Sequence, residues 1–508
     1  TFANRRKAWA YRQDQQPTTH PIVATINDLE DAKLNFDGIT YAKGASVLKQ
    51  LVAYVGEEAF LEGARRYFKR HAYGNTTLAD LLDVLAETSG RDLATWSRAW
   101  LETAQLNTLT IDGDAIAQSA APGYLEARPH RIAIGSYALD EGRGATDGLA
   151  RVVRVDRQEL DLADTRTPFP FSPAKAGDGS GVFHLLNDDD LTYAKVRLTA
   201  DQVDFLREHL SSFEDPMARS LLWSALWNMT RDAELSGRDF IDFVDRHAAA
   251  ESEVGVVQNL LQQTEAVLQF YLAPQAAREA ARQAAAMARR ELTAATPGSD
   301  HQLAWARGVA AAACSAEDYA LLDALLEGTA LPNDAALIDG LTVDTDLRWT
   351  FLHALARGGQ ADQTRLDAEL MRDATAAGRR KHAGCLAARP TAEAKAAAWK
   401  LAVESGDQPT DLLRDLLLGL AATPERPDLL LPFVERYFTA LDEVWSQRSI
   451  ENSRRIAVLA FPSRVVEEAT LARTDRWLAE DGHAPALRRL VLEARDELAR
   501  ALKARSVS

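Results

Sequence analysis

From Thr199 to Ser508 the apolar residues of this chain recur almost everywhere at helical spacing, in segments that carry their own start and stop signals. Pro274 to Thr296 (PQAAREAARQAAAMARRELTAAT) begins with proline and halts at Pro297-Gly298, as a helix bounded by its own sequence does. Pro409 to Leu420 and Ala484 to Lys503 follow the same logic. Segment lengths vary and no fixed repeat period links them. A stretch this long can bury its apolar faces only by stacking helix on helix, so residues 199–508 are predicted to form a large irregular α-helical superhelix.

The rest of the chain has two textures. Between residues 38 and 105 four helices are punctuated clearly. Tyr41 to Val55 places Val47, Leu48, Leu51 and Val55 on one face and stops at Gly56. Glu57 to His71 repeats the pattern with Phe60, Leu61, Ala64 and Phe68. Thr76-Thr77-Leu-Ala-Asp80 reads as an N-cap with an acidic first turn, Gly90 closes that helix, and Leu93 to Glu102 carries Trp96 and Trp100. After Leu106 the period changes to two: Leu109-Thr-Ile-Asp, Arg131 to Leu139, Leu149 to Val155 and Leu191 to Leu198 alternate apolar and polar residues. Turn clusters at Asp140 to Gly144 and Gly177 to Gly181 separate them. The predicted fold is therefore mainly α with a small β domain. Residues 1–106 are expected to be helical, 107–198 an antiparallel β-sandwich and 199–508 the superhelix.

Charge narrows the function classes. With 58 Lys+Arg against 74 Asp+Glu the formal net charge is −16, so the surface field repels polyanions, and neither nucleic acid nor an anionic membrane is an expected partner. Two cysteines, Cys314 and Cys385, cannot build a disulfide framework or a thiolate zinc module. No apolar run reaches the length of a membrane span, and residues 1–20 lack the hydrophobic stretch of a signal peptide, so a cytoplasmic home is expected.

Most chemical signatures are missing. The ten histidines lie far apart, the nearest two being His184 and His209, so no helix presents two imidazoles at i, i+4 to one metal ion. There is no Gly-x-Ser-x-Gly elbow and no Gly-Lys dipeptide of a phosphate loop. Asp188-Asp-Asp190 lacks the alternating ligands and glycine of a calcium loop and reads as a solvated acidic turn. The segment Asn35-Phe-Asp-Gly-Ile-Thr-Tyr-Ala-Lys-Gly-Ala-Ser-Val-Leu48 carries more. It delivers Tyr41 to the first turn of a helix, with Gly44 expected to allow close packing behind it. A phenol so placed either packs with its hydroxyl at the surface or donates a hydrogen bond to a developing oxyanion.

Tyr41-Ala-Lys-Gly-Ala45 resembles the zinc aminopeptidase N family, where a Tyr-x-Lys-Gly-Ala pattern opens a helix after the zinc-binding segment. Thr19-His-Pro21, Phe36 to Gly44, Tyr67 to Asn75, Ser89 to Leu93 and Trp100-Leu-Glu-Thr103 follow in the family's order across about the first 105 residues. The resemblance implies a thermolysin-like helical end of a catalytic domain, Tyr41 as the catalytic hydrogen-bond donor to the tetrahedral intermediate, and peptides as substrates. Asp37 is a candidate for lining the substrate pocket; equally, an aspartate just before a helix can be a cap. A Zn2+ cofactor is implied for the complete enzyme, yet the His-Glu-x-x-His helix, its downstream Glu and the Gly-x-Met-x-Asn loop are absent from this sequence. Because the sequence opens at Thr1 and its first Met is Met217, these parts are expected upstream, in a missing N-terminal part of the catalytic domain. A monomer is expected, with the helical domain restricting entry to short peptides. The rival reading is a non-catalytic helical scaffold that binds a protein or peptide partner.

Overall fold

The computed structural model describes residues 6–24, 26, 29, 35–140, 150–171, 182–329, 338–423 and 426–508. The turn clusters read at 141–144 and 177–181 lie outside these residues. The structure is mostly helical with a small region of sheet. It divides into two compact units, residues 1–229 with 250–256, and residues 230–249 with 257–508.

In the first unit α1 (Lys7–Gln13) is followed by a π-helical turn, Ile39–Lys43, that runs into α2 (Gly44–Val55). Helices α3 (Glu57–Arg70), α4 (Leu78–Ser89) and α5 (Leu93–Leu101) come next. The ends are chemically specified. Gly56, between α2 and α3, has φ +87°, and Gly90, after α4, has φ +69°, conformations that side chains resist. Thr77 and Asp80 form a reciprocal capping box at the start of α4, and Asp92 accepts from the amides of Ala94 and Thr95 at the start of α5. Val47, Leu51, Trp96 and Trp100 bury against Ala10, Tyr11 and Tyr193. Full burial of side chains of this size contributes about 1.5–3 kcal/mol each, which is what holds short helices together.

The β region comprises β1 (Thr108–Asp112), β2 (Ala115–Ser119), β3 (His130–Asp140), β4 (Arg151–Leu162), β5 (Arg166–Pro168), β6 (Val182–Asp188) and β7 (Lys195–Arg197). They form two sheets, ordered β5-β2-β1-β7 and β4-β3-β6. Leu109 and Ile116 of one sheet share a core with Ile132, Ile134, Leu162 and Leu186 of the other, which is a sandwich. The pairing of β1 with β7 is parallel, Thr108 opposite Lys195, so the region is not wholly antiparallel as the sequence suggests. After β6, in the second sheet, the chain reaches β7, in the first, beside β1. That crossing, unlike a hairpin return, leaves the two strands running the same way.

Arg128, almost fully buried, ties α5 to the strands: it donates to the carbonyls of Ala99 (3.0 Å) and Ala104 (2.6 Å), to Thr103 Oγ1 (2.9 Å) and to Asn107 Oδ1 (2.5 Å). Asp188 to Asp190 is a corrected reading. Rather than a solvated turn it is ion-paired and largely buried: Asp188 meets Arg154 at 2.9 Å and the Tyr137 hydroxyl at 3.0 Å, and Asp189 meets Arg157 at 2.6 Å. Asp190 pairs with Lys7, whose ammonium also donates to Thr192 O at 2.7 Å. All these partners are distant in sequence, so the local pattern could not reveal them.

The second unit contains a row of helices: α6 (Pro274–Ala294), α7 (Asp300–Ala312), α8 (Thr345–Arg357), α9 (Ala376–Ala388), α10 (Thr410–Ala421), α11 (Ile450–Leu459) and α12 (Pro485–Arg505). Each packs on the next, and the helices between them in sequence fill in behind. Ser299, Asp344 and Thr375 cap α7, α8 and α9 by accepting the amides of Gln302, Leu347 and Gly378. Between α9 and α10 the backbones nearly touch, and a Cβ on Gly419 would lie 2.3 Å from Gly384 O.

Candidate active site

The π-helical turn makes one wide loop of backbone just before α2 and places Tyr41 on its outer side, 53% exposed. Such turns are rare and concentrate at functional positions. No donor or acceptor among the described residues engages the Tyr41 hydroxyl, while its ring lies 6.0 Å from that of the exposed Phe36 at an interplanar angle of 23°. Exposure leaves the O–H proton available to an incoming oxygen.

The turn itself is held firmly. Asp37 is buried, and its Oδ1 accepts from the amides of Ile39 (3.0 Å) and Thr40 (2.9 Å), a capping arrangement. Its Oδ2 meets His20 Nε2 at 2.8 Å, and His20 Nδ1 lies 2.7 Å from Pro21 O. Asp37 thus spends both oxygens inside the protein, fixing the turn that presents Tyr41. On the other side Lys43, fully buried, pairs with Asp14 at 2.9 Å and donates to Gln105 O at 3.0 Å. Burial lowers the Lys43 pKa and the Asp14 charge opposes that shift. Asp14 Oδ1 in turn accepts from Thr19 Oγ1 (2.7 Å) and Gln105 N (3.0 Å).

The glycine that close packing requires is Gly38, not Gly44. A Cβ on Gly38 would fall 2.7 Å from Gln13 Oε1 and 3.2 Å from Ala10 Cα of α1, whereas one on Gly44 would meet only Ile39 O, at 3.9 Å. Sequence reading singled out Tyr41 and Asp37, and the structure brings them together. It missed Lys43 and Asp14 as a pair, and it saw His20 only within Thr19-His-Pro21. A lysine directly before a glycine at the start of a helix was the available signal.

A metal centre is a separate matter. Among the described residues the carboxylates of Asp188, Asp189 and Asp215 approach within 4.8 Å of one another. This set offers no imidazole, and Asp188 and Asp189 are already held by Tyr137, Arg154 and Arg157. It does not fit a zinc ion of the histidine–carboxylate kind. Among the same residues no helix is long and apolar enough to cross a membrane.

Comparison with known proteins bears on this geometry. Residues 1–100, which contain the Tyr41 turn and its anchors, match the Peptidase family M1 domain, and residues 183–500 match the ERAP1-like C-terminal domain. Aminopeptidase N of Streptomyces lividans is 49% identical over an alignment that covers 100% of this chain and 59% of that protein. The chain belongs to the aminopeptidase N family. Members more distant from it align over shorter stretches. Tricorn protease-interacting factor F2 of Thermoplasma volcanium is 35% identical over 25% of this chain and 16% of its own length. Leucyl aminopeptidase of Saccharolobus solfataricus is 37% identical over 20% of this chain and 13% of its own. The chain thus spans 59% of the aminopeptidase N it matches along its whole length, and much smaller shares of the others.

Proposed function

We propose that this chain serves in the hydrolysis of the N-terminal residue from peptides, with Tyr41 as the donor that stabilises the oxyanion. Attack of water on the first peptide carbonyl places negative charge on its oxygen, and a neutral phenol held at fixed geometry loses little in reorganising to meet it. The observation that carries this reading is the exposed Tyr41 hydroxyl, without a partner among the described residues, on a turn locked from beneath by Asp37, His20, Lys43 and Asp14. Asp37 then acts on the substrate through Tyr41, as a positioning residue. The names of the relatives support this reading over the scaffold.

In this proposal residues 1–106 are the end of a thermolysin-like catalytic domain, 107–198 a β-sandwich, and 199–508 a superhelix that limits access to short peptides. The row of helices α6 to α12 supports the last part. Zn2+ enters as the family's cofactor, with ligands from an N-terminal part of the catalytic domain outside this sequence, and the working enzyme is a cytoplasmic monomer.

The test is Tyr41→Phe in the zinc-loaded enzyme that contains this chain, assayed on an alanyl or leucyl anilide. The expected result is a fall in kcat of about a hundred- to a thousandfold with KM little changed, the loss of one oxyanion donor costing about 3–4 kcal/mol. Undiminished kcat would remove Tyr41 from the chemistry.

A further inference from the structure

The second unit holds a cavity of 380 Å3 whose walls come from successive members of the helix row. Arg307 and Ala311 of α7, Trp349, His353 and Arg357 of α8, Lys381 and Cys385 of α9, and Asp415 and Leu418 of α10 face it, with Glu265 and Arg464 closing the sides. Its volume lies in the range of small-molecule sites, about 300–1,000 Å3.

The charges in this wall are unequally satisfied. Arg307 pairs with Asp346 at 3.0 Å, and Arg357 donates to the carbonyls of Ala310, Ala311 and Ala313 at the end of α7. Lys381 comes no closer than 3.9 Å to Asp346. Arg464 has no hydrogen-bonded or ion-paired acceptor among the described residues; it sits 5.1 Å over the Phe270 ring, and burial pulls its pKa down to about 10, leaving it a cation at neutral pH. Its nitrogens stay open to the cavity, and its planar fork matches a carboxylate. Opposite charge is present too. Asp415 Oδ1 accepts from Arg414, and among the described residues Glu265 Oε1 accepts only from the neutral Gln269 amide, at 2.7 Å. His353 is held uncharged, its pKa lowered to about 4 by burial. Trp349, whose ring is fixed by a 2.9 Å bond from Nε1 to Asp373, supplies apolar wall together with Leu418 and the alanines.

A simple anion would meet Arg464 but face two carboxylates, and a simple cation would face four basic side chains. A small molecule with a carboxylate and an ammonium on adjacent atoms satisfies both, and the apolar wall takes its side chain. We propose that this cavity binds a free α-amino acid, its carboxylate on Arg464 and its ammonium toward Glu265. The site is built from residues of the second unit alone and does not depend on the hydrolytic reading.

Titration calorimetry on the whole chain with L-leucine, N-acetyl-L-leucine and L-leucinamide tests it. The expected result is one L-leucine per chain, with each blocked compound at least about tenfold weaker, the ratio that loss of one charge-assisted contact produces. Arg464→Met should weaken L-leucine at least about tenfold as well. Glu265→Gln, nearly the same shape, should also weaken it, and it carries the test if Arg464→Met does not fold. Wild-type affinity for L-leucine in either folded variant would place the binding elsewhere and overturn the proposal. Equal affinity for N-acetyl-L-leucine would refute the amino-acid assignment in favour of a plain carboxylate, and no binding of any probe at millimolar concentration would refute the site itself.

Discussion

Lys43→Met is the substitution that most directly probes how the Tyr41 turn is held. Methionine preserves most of the side-chain volume and removes the ammonium, so the packing term changes little. What is lost is the ammonium paired with Asp14 at 2.9 Å, and the Asp14 side chain, like that of Lys43, has no exposure at all. Gln105 O loses its donor as well. Breaking a buried pair by removing one partner costs about 3–5 kcal/mol, because the remaining charge loses its directly paired counter-ion and gains no water in its place. For a unit of this size that corresponds to a fall in Tm of about 6–20 °C. Calorimetric melting is the assay, with Asp14→Asn added to the Lys43→Met background as the second arm. Asparagine can still accept from Gln105 N and Thr19 Oγ1 through its carbonyl while carrying no charge, so the double variant should recover at least half of the loss. A loss below about 1 kcal/mol for Lys43→Met, or no recovery on adding Asp14→Asn, would refute the claim that an uncompensated buried carboxylate sets the cost.

His130 is fully buried between Thr192 Oγ1 and Gln118 Oε1, and its pKa is lowered from 6.5 to about 3, mainly by burial. The unfolded chain takes a proton below pH 6.5 that the folded one refuses until about pH 3, so this stability is complete above 6.5 and is lost as pH falls toward 3. Between pH 6.5 and 4.5 the wild type should lose roughly 2–3 kcal/mol more than His130→Gln in urea unfolding, and parallel losses would contradict the assignment. Gly419→Ala would put a Cβ 2.3 Å from Gly384 O and 2.8 Å from Ala387 Cβ; about 1–3 kcal/mol of destabilisation is expected, and an unchanged melting temperature would show that α9 and α10 separate freely. Burial pushes the Cys385 thiol up to about 12, whereas Cys314 is partly exposed. An aromatic disulfide reagent should therefore react with one thiol per native chain and reach the second only after denaturation, and two fast reactions would refute the burial of Cys385.

What the sequence reveals here follows the range of the interactions involved. The helices at 44–55, 57–70 and 78–89 were legible because glycine stops, the Thr77 cap and apolar spacing are local. Strand β6 was not, since Val182 to Asp188 is buried nearly throughout and shows no alternation. The short β5 has too few residues to display a period, whereas β7 lies within the alternation at Leu191 to Leu198 and occupies only its Lys195–Arg197 part. Tyr41 could be picked out from its own segment. Its supports could not: Lys43 with Asp14, and Asp37 with His20, are joined by folding and not by spacing. The same reason turned Asp188 to Asp190 from an expected surface turn into a buried one, and it misassigned to Gly44 a tightness that belongs to Gly38.

The row from α6 to α12 behaves mechanically like a stack of rungs, each seated on the next. The cavity wall draws on four of these rungs in succession, from Arg307 through Trp349 and Lys381 to Asp415. Its bore is therefore the sum of three separate seatings. A small tilt at one of them, such as the Gly384–Gly419 contact, widens or narrows the whole opening without disturbing the core of any single helix.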